Sequence, residues 1–237
     1  PGLAARLTAE VATSVPLILA TPPLMALNPP RPIPARFAGR PAYSIAYLRT
    51  DLSLGVTIGG SVSHTSGVTG GLLAAGHRVR FLAPGPVPDL DETRTPVLVI
   101  PPGNTVRVFD EAAMVDFHHR FNARALPVLR RERPDFIYQR HSVFNASGAV
   151  LARKLGVPLL LEANGSEVWA RAQWSRLQLR RLAERMERYA FDGAAAIVVV
   201  STILKEQLVS LGADAARILV NPNGVDPERF HLSLIHI

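Results

Sequence analysis

The sequence of 237 residues contains no cysteine. This absence excludes a disulfide framework, a thiolate metal site and a catalytic cysteine, and it fits a reducing compartment. The chain also has no His-Glu-x-x-His motif and no metal-binding pattern of histidines or clustered carboxylates. A catalytic metal site is therefore not expected.

Lysine is nearly absent, because Lys154 and Lys205 are the only two, and arginine supplies most of the formal net charge of +7. A basic surface of this kind fits nucleic acid, an anionic membrane or a phosphorylated substrate, or it is an ordinary solvated surface. Hydrophobic residues make up 48% and charged residues 19%, which indicates a globular chain and excludes a disordered one.

Proline is concentrated at the N-terminus, where nine of the 20 prolines lie at or before Pro41. Residues 11–30 carry no charge, but their five prolines predict that a membrane-spanning helix would break there. A signal peptide would use Arg6 and the apolar run 15–20, which is short. We expect residues 1–41 to form a disordered leader or foreign upstream sequence, and a domain to begin near Ala42.

From Ala42 onward, strand-like and helix-like stretches alternate. Strands are expected at 44–48, 77–83, 97–100, 135–138, 158–162, 194–200 and 217–220. One helix is expected to start in the second half of the glycine-rich stretch 55–71 and to end at Gly76, and others are expected at 111–131, 146–155, 168–191 and 202–211. This alternation predicts an α/β fold with a Rossmann-like parallel sheet and helices on both faces. Ligands of such sheets bind at the carboxyl ends of the strands.

The first of these loops is rich in glycine. Gly59, Gly60 and Ser61 follow the first strand and open a helix, so that free backbone N–H groups are available for a phosphate. The spacing matches neither the dinucleotide-binding Gly-x-Gly-x-x-Gly pattern nor a P-loop. The alternative is a tight strand-to-helix turn that binds no ligand.

Two later loops carry titratable side chains. His141 follows the strand at 135–138. It is either a general base or a residue that binds a substrate hydroxyl or phosphate, or it is a capping or surface residue. Glu162 ends the next strand, where it has access to sugar hydroxyls, and Ser166 is expected to cap the following helix. That helix, at 168–191, is arginine-rich and either docks on anionic lipid or packs on the core with a solvated basic face.

The last loops combine a capping serine with a cation. Ser201 follows an apolar run and is expected to cap a helix in which Lys205 lies one turn further on. From that position the ammonium group has the reach to contact a phosphate.

Together these stretches resemble the N-terminal domain of the family 4 retaining glycosyltransferases, which have the GT-B fold. Residues 217–226 read RILVNPNGVD and resemble the segment that closes this domain, and residues 200–205 resemble its V-S-x-x-x-K stretch. Gly59 and Gly60 match the glycine-rich loop near the donor diphosphate. Residues 136–141, FIYQRH, resemble the histidine-bearing loop of sugar transferases of polysaccharide synthesis. The resemblance covers Ala42 to Phe230.

The resemblance implies a role for each of these residues. His141 and Glu162 would be catalytic, on the acceptor and sugar side. The donor diphosphate would be bound by Gly59, Gly60, Ser61 and Lys205. Ser201, Asn223 and Gly224 would line the cleft between two domains. Residues 231–237 do not resemble the family's continuation, and we expect the family's second, donor-binding domain to lie outside this sequence.

The implied activity is transfer of a sugar from a nucleotide diphosphate sugar to an acceptor hydroxyl with retention, in polysaccharide or glycolipid synthesis. It requires neither a cofactor nor a metal ion. The implied partners are a nucleotide sugar and a sugar or lipid-linked acceptor, in the cytoplasm or peripherally on the inner face of the membrane, without nucleic acid. We expect this chain by itself to be inactive. The alternatives are a basic module that binds nucleic acid or membrane, and a nucleotide-sugar epimerase of the same architecture.

Overall fold

The computed structural model describes residues 2–37, 39–52, 59–103, 109–174 and 176–224. The helices are α1 (Leu3–Leu27), α2 (Gly60–Ala74), α3 (Asp110–Glu132), α4 (Ser147–Leu155), α5 (Glu167–Trp174), α6 (Arg180–Gly193) and α7 (Thr202–Ser210). The strands are β1 (Ser44–Arg49), β2 (Arg78–Ala83), β3 (Val97–Val99), β4 (Phe136–Arg140), β5 (Leu159–Glu162), β6 (Ala196–Val199) and β7 (Ile218–Val220). A short 3-10 turn at Ala215–Arg217 precedes β7.

The seven strands form one sheet in the order β3-β2-β1-β4-β5-β6-β7, and every neighbouring pair is parallel. From β1, the chain adds β2 and β3 on one side of the sheet and then adds β4 to β7 on the other. The loops that follow β1 and β4 therefore lead to opposite sides, and they separate at the middle of the sheet. The predicted α/β fold with a Rossmann-like parallel sheet is confirmed.

Each face of the sheet has its own apolar core, because successive side chains of a strand point to opposite faces. On β1, Ile45 and Tyr47 belong to the smaller core, whereas Ala46 and Leu48 belong to the larger one. All four side chains are fully buried. The continuous apolar runs of the sequence therefore mark strands that are covered on both faces.

The N-terminal segment differs from the expectation of a disordered leader. Residues Leu3–Leu27 form a helix that includes Pro16, Pro22 and Pro23. Its packing against α3 and α6 stabilises it despite these prolines, and Thr21 Oγ1 lies 2.7 Å from His119 Nε2 of α3. Within it, Leu7–Leu27 is long and apolar enough to cross a membrane, with a mean hydropathy of 1.4.

The arginine-rich segment 168–191 forms two helices, α5 and α6, and not the single helix that was predicted. The cause is Glu111 at the start of α3. Its carboxylate accepts the N–H groups of Gln178 at 2.9 Å and of Leu179 at 2.7 Å, so that these groups bond to α3 at the point where α6 begins.

Candidate functional site

The carboxyl ends of the parallel strands meet at one edge of the sheet, where the sequence places its candidate residues. Of the glycine-rich loop, residues 53–58 lie outside the described part of the chain. Gly59 caps α2 with a φ of 134°, a conformation that favours glycine. Val62 and Ser63 donate to the Gly59 carbonyl at 3.0 and 3.1 Å. The N–H groups of Gly60 and Ser61 come earlier in the chain, at the start of α2. At these positions no backbone carbonyl of the helix is available to accept an N–H group.

Glu162 is the centre of a group of side chains that we call the Glu162 cluster: Glu162, Tyr138, Arg140 and His64. The carboxylate accepts the Tyr138 hydroxyl at 2.8 Å and Arg140 Nη1 at 2.9 Å. His64 Nε2, from the beginning of α2, also lies 2.9 Å from the Glu162 carboxylate. This third contact is close, but it is not aligned as a hydrogen bond, and we treat it as a contact between charges when the imidazole is protonated.

The electrostatics of the cluster keep Glu162 ionised. Burial acts to raise the pKa of this carboxyl, but the contacts with His64, Arg140 and Tyr138 outweigh burial and lower the pKa below its ordinary value. Burial, followed by the nearby carboxylate, raises the pKa of the Tyr138 hydroxyl.

Exposure divides the cluster into a buried acid and two basic side chains nearer the surface. The Glu162 side chain is only 2% exposed, whereas His64 is 22% and Arg140 is 16% exposed. Glu162 therefore holds the His64 and Arg140 side chains in place. Within the cluster, the imidazole of His64 and the guanidinium of Arg140 are the groups that a ligand can contact.

His141 lies on the other face of the sheet from Glu162, which corrects the expectation that both residues line one side of a cleft. Its side chain is 1% exposed, and its Nε2 is 3.1 Å from Glu187 Oε1 of α6. The physical reason is the alternation of side chains along β4, which directs Arg140 towards α2 and His141 towards α6. A catalytic role for His141 or Glu162 stays a prediction.

Glu187 connects His141 to the start of α5. Its carboxylate accepts the Ser166 hydroxyl at 2.7 Å and the Val168 N–H at 3.2 Å. Burial acts to raise the pKa of Glu187, but His141, Ser166 and the Val168 N–H outweigh burial and lower it. Ser166 Oγ in turn accepts the Trp169 N–H at 3.0 Å, which confirms the predicted cap.

The remaining predicted residues lie towards the β7 side of the same edge. Ser201 caps α7 by accepting the Leu204 N–H at 3.3 Å, as predicted. Lys205 Nζ donates to the Ile218 carbonyl of β7 at 3.1 Å, and its contact with a phosphate stays a prediction. Asn223 and Gly224 are exposed after β7. Four strand spacings separate β1 from β7, or about 19 Å, so Gly59 and Gly60 lie near Glu162 but not near Asn223.

A cavity of about 320 Å³ lies beside the ends of β1 and β4, on the α3 side of the sheet. Its polar lining includes Thr50, Asp51, Asn145, Glu167 and Arg171. Asn145 is buried, and its Nδ2 has no hydrogen-bond partner among the described residues. Burial raises the pKa of the Glu167 carboxyl. Such a mixture of donors and acceptors is suited to the hydroxyl groups of a sugar.

Within the described ranges, no group of three or more histidine, aspartate or glutamate side chains is placed to hold a metal ion.

Comparison with known families agrees with this geometry. The family described as Glycosyltransferase Family 4 matches residues 58–229, which is well over half of the chain. The chain belongs to glycosyltransferase family 4. Among curated proteins, none matches the sequence.

Solved structures share the fold of this family 4 domain at low sequence identity. Anabaena HepE, solved with UDP and glucose, has 15% identity and a TM-score of 0.56, covering 81% of this chain and 47% of its own. The lipopolysaccharide outer core galactosyltransferase WaaB has 16% identity and a TM-score of 0.52, covering 77% and 46%. A Listeria monocytogenes protein described as a UDP-N-acetylglucosamine 2-epimerase has 15% identity and a TM-score of 0.50, covering 76% and 45%. The chain thus spans about half the length of these proteins.

Sequence reasoning missed three members of the Glu162 cluster in this family 4 domain: Tyr138, Arg140 and His64. The signal for two of them was present, because Tyr138 and Arg140 are two residues apart on β4 and therefore share a face. Arg140 also pairs in register with Glu162 on β5. His64 had no comparable signal, since its contact with Glu162 depends on how α2 packs against the sheet.

Proposed function

We propose that the protein is a retaining glycosyltransferase that transfers a sugar from a nucleotide diphosphate sugar to an acceptor hydroxyl. The observation that carries this proposal is the pair of basic side chains, His64 and Arg140, which Glu162 holds beside the start of α2. Membership of glycosyltransferase family 4 supports it, and so does the fold shared with HepE, a protein solved with UDP and glucose.

The chemical problem in this reaction is the negative charge that develops on the leaving diphosphate. The guanidinium of Arg140, the imidazole of His64 and the N–H groups of Gly60 and Ser61 are groups that would stabilise this charge. Because these groups are already fixed, little reorganisation is needed as the bond to the sugar breaks. In this proposal the protein's own cations and N–H groups stabilise the diphosphate, without a metal ion.

The acceptor would occupy the cavity beside β1 and β4. Asn145 Nδ2 offers an unused donor there, and the carboxyl groups of Asp51 and Glu167 offer acceptors for hydroxyl hydrogens. His141 would act at a distance, because its bond to Glu187 fixes the start of α5, which carries Glu167.

The whole reaction would require a second domain, since the chain spans only about half the length of the solved structures that it matches. We expect the 237 residues alone to give no appreciable turnover. We also infer that the enzyme acts in the cytoplasm, in polysaccharide or glycolipid synthesis, on a sugar or lipid-linked acceptor.

Sugar transfer by the complete protein, with several nucleotide sugars and candidate acceptors, tests this proposal. Gly60→Asp would place a carboxylate against the diphosphate, and an acid in the first turn favours the helix, so that the fold should persist. We expect kcat/KM to fall roughly 100-fold or more. Gly70→Asp, in the exposed middle of the same helix, is the matched control and should keep its activity. Full activity of Gly60→Asp would refute the assignment of this loop.

A nucleotide-sugar epimerase is the second candidate, favoured by the fold that the chain shares with the Listeria protein. The two activities are distinguished by incubation with a nucleotide sugar in the absence of acceptor. An epimerase would change the sugar while it remains on the nucleotide, whereas a transferase would not. A salt-sensitive gel shift would instead identify a nucleic-acid-binding module.

A further inference from the structure

Helix α1 has an unusual distribution of polarity. The side that faces the rest of the protein buries Glu10, Ser14 and Thr21, together with Met25. Elsewhere on the helix, large apolar side chains are 43% to 77% exposed: Val11, Val15, Leu19, Leu24 and Leu27. Val11, Val15 and Leu24 lie at the edges of cavities beside the domain, whereas Leu19 and Leu27, the two most exposed, lie on the side away from it, which we call the outer face of α1. A surface helix in water normally directs its apolar side inward. The outer face of α1 is therefore suited to an apolar medium.

The inner side of α1 is attached to the domain by specific polar contacts. Thr21 bonds to His119 of α3, and the Phe109 N–H donates to Glu10 Oε1 at 3.2 Å. Beyond the end of the helix, the Tyr189 hydroxyl donates to the Asn28 carbonyl at 2.6 Å. Leu7–Leu27 has the length of a membrane span, but crossing a membrane would break all of these contacts.

Arginines lie near both ends of this apolar helix. No ionisable residue lies between Val11 and Pro30, and Arg31 and Arg36 follow directly. Near the other end of the helix, Arg171 and Arg176 line the same cavity as Val11, which also has the acidic residues Glu10, Asp110 and Glu111 in its lining. Trp174, which lies between these two arginines in the sequence, is 91% exposed. Apolar side chains flanked by arginine and tryptophan are typical of a helix that lies in the interface of an anionic membrane.

We propose that α1 is a membrane-docking helix, which lies in the plane of an anionic bilayer with its outer face in the lipid and its inner side on the domain. The arginines around it favour anionic headgroups over a second copy of the same cationic surface. This proposal does not depend on the glycosyltransferase activity, because membrane binding is measured without substrate.

Flotation of the protein with vesicles tests the proposal. We expect it to float with phosphatidylcholine vesicles that contain phosphatidylglycerol, and less with phosphatidylcholine alone or at high salt. Leu19→Asp should lower the partition coefficient about tenfold or more, because it puts a charge in the lipid. Its side chain points outward, so the unfolding transition should remain that of the wild type. Ile203→Asp is the matched control, since Ile203 is similarly exposed on α7, and it should bind as the wild type does.

Three results would overturn the proposal. The first is equal flotation of the wild type and Leu19→Asp, or no flotation of either. The second is a protein that resists extraction from membranes by alkaline carbonate, which would identify α1 as a span. The third is a dimer in solution that Leu19→Asp dissociates, without vesicle binding, which would mean that a second copy covers the outer face.

Discussion

His118 provides a test of the electrostatics of the larger core. It lies on α3 and is 3% exposed, and burial, followed by the charge of His119, lowers its pKa to about 3. Asn122 Nδ2 is 3.3 Å from its Nε2. The same amide nitrogen lies 3.4 Å from Nδ1. The Ser147 hydroxyl also faces Nδ1, 3.3 Å away.

The sign of the pH dependence follows from this pKa. An unfolded histidine binds a proton below about pH 6.5, whereas the folded one does so only near pH 3, so that the unfolded state holds more protons between these values. The stabilisation is therefore complete above about pH 6.5 and is lost as the pH falls. Between about pH 7.5 and pH 5, His118 alone should lower the free energy of unfolding by about 2 kcal/mol. The pKa values of Glu162 and Glu187 are lowered, so these groups act at more acidic pH.

Urea unfolding of the wild type and of His118→Gln, at about pH 7.5 and about pH 5, measures the contribution of His118 to the pH dependence of the free energy of unfolding. Glutamine does not titrate, so the variant should be less stable at neutral pH but should lose about 2 kcal/mol less on acidification. His119→Gln is the control, because His119 is less deeply buried. This variant should keep most of the wild type's loss of stability between the two pH values. An unchanged slope in His118→Gln would refute the argument that this imidazole is excluded from protonation.

Two further pairs of variants test the packing around the site. Glu187→Ala leaves His141 and the start of α5 without their acceptor, and should lower the free energy of unfolding by about 3 kcal/mol in urea titrations. Glu184→Ala, on the exposed side of the same helix, should change it by less than about 0.5 kcal/mol, and equal effects would contradict the assigned network. Gly148→Ala would place a methyl group against the Gln139 side chain and should destabilise by about 2 kcal/mol. Gly70→Ala should instead stabilise by up to about 1 kcal/mol, and the opposite order in thermal unfolding would show the packing to be wrong.

Much of the fold could be predicted because its signals are local. The continuous apolar runs and the glycines that end the helices predicted the seven strands and most helix positions. The prediction failed where a distant residue decides. Glu111 separates α5 from α6, and the contact between Thr21 and His119 stabilises α1 despite its prolines. Glu111 and His119 are far in sequence from the segments that they affect, so a local sequence pattern does not reveal them.

The candidate site could be predicted only in part for a related reason. The loops after the strands were correctly expected to meet at one edge of the sheet, and the caps by Ser166 and Ser201 are confirmed. The face that each side chain occupies depends on where a strand begins, and an error of one residue reverses it. The resemblance put His141 and Glu162 on the same side of a cleft, whereas the residue next to Glu162 in the structure is Arg140.

The reversal between Arg140 and His141 has a consequence for how the enzyme tolerates change. The two are neighbours in the chain, yet one meets the open edge beside α2 and the other is enclosed under α6. Under the proposed function, variation at position 140 should alter the binding of the diphosphate while the protein still folds. Variation at position 141 should instead reduce the amount of folded protein before it alters any preference for substrate. A library that randomises both positions would distinguish the two effects within a single dipeptide: selection for substrate binding would act on position 140, and selection for folding would act on position 141.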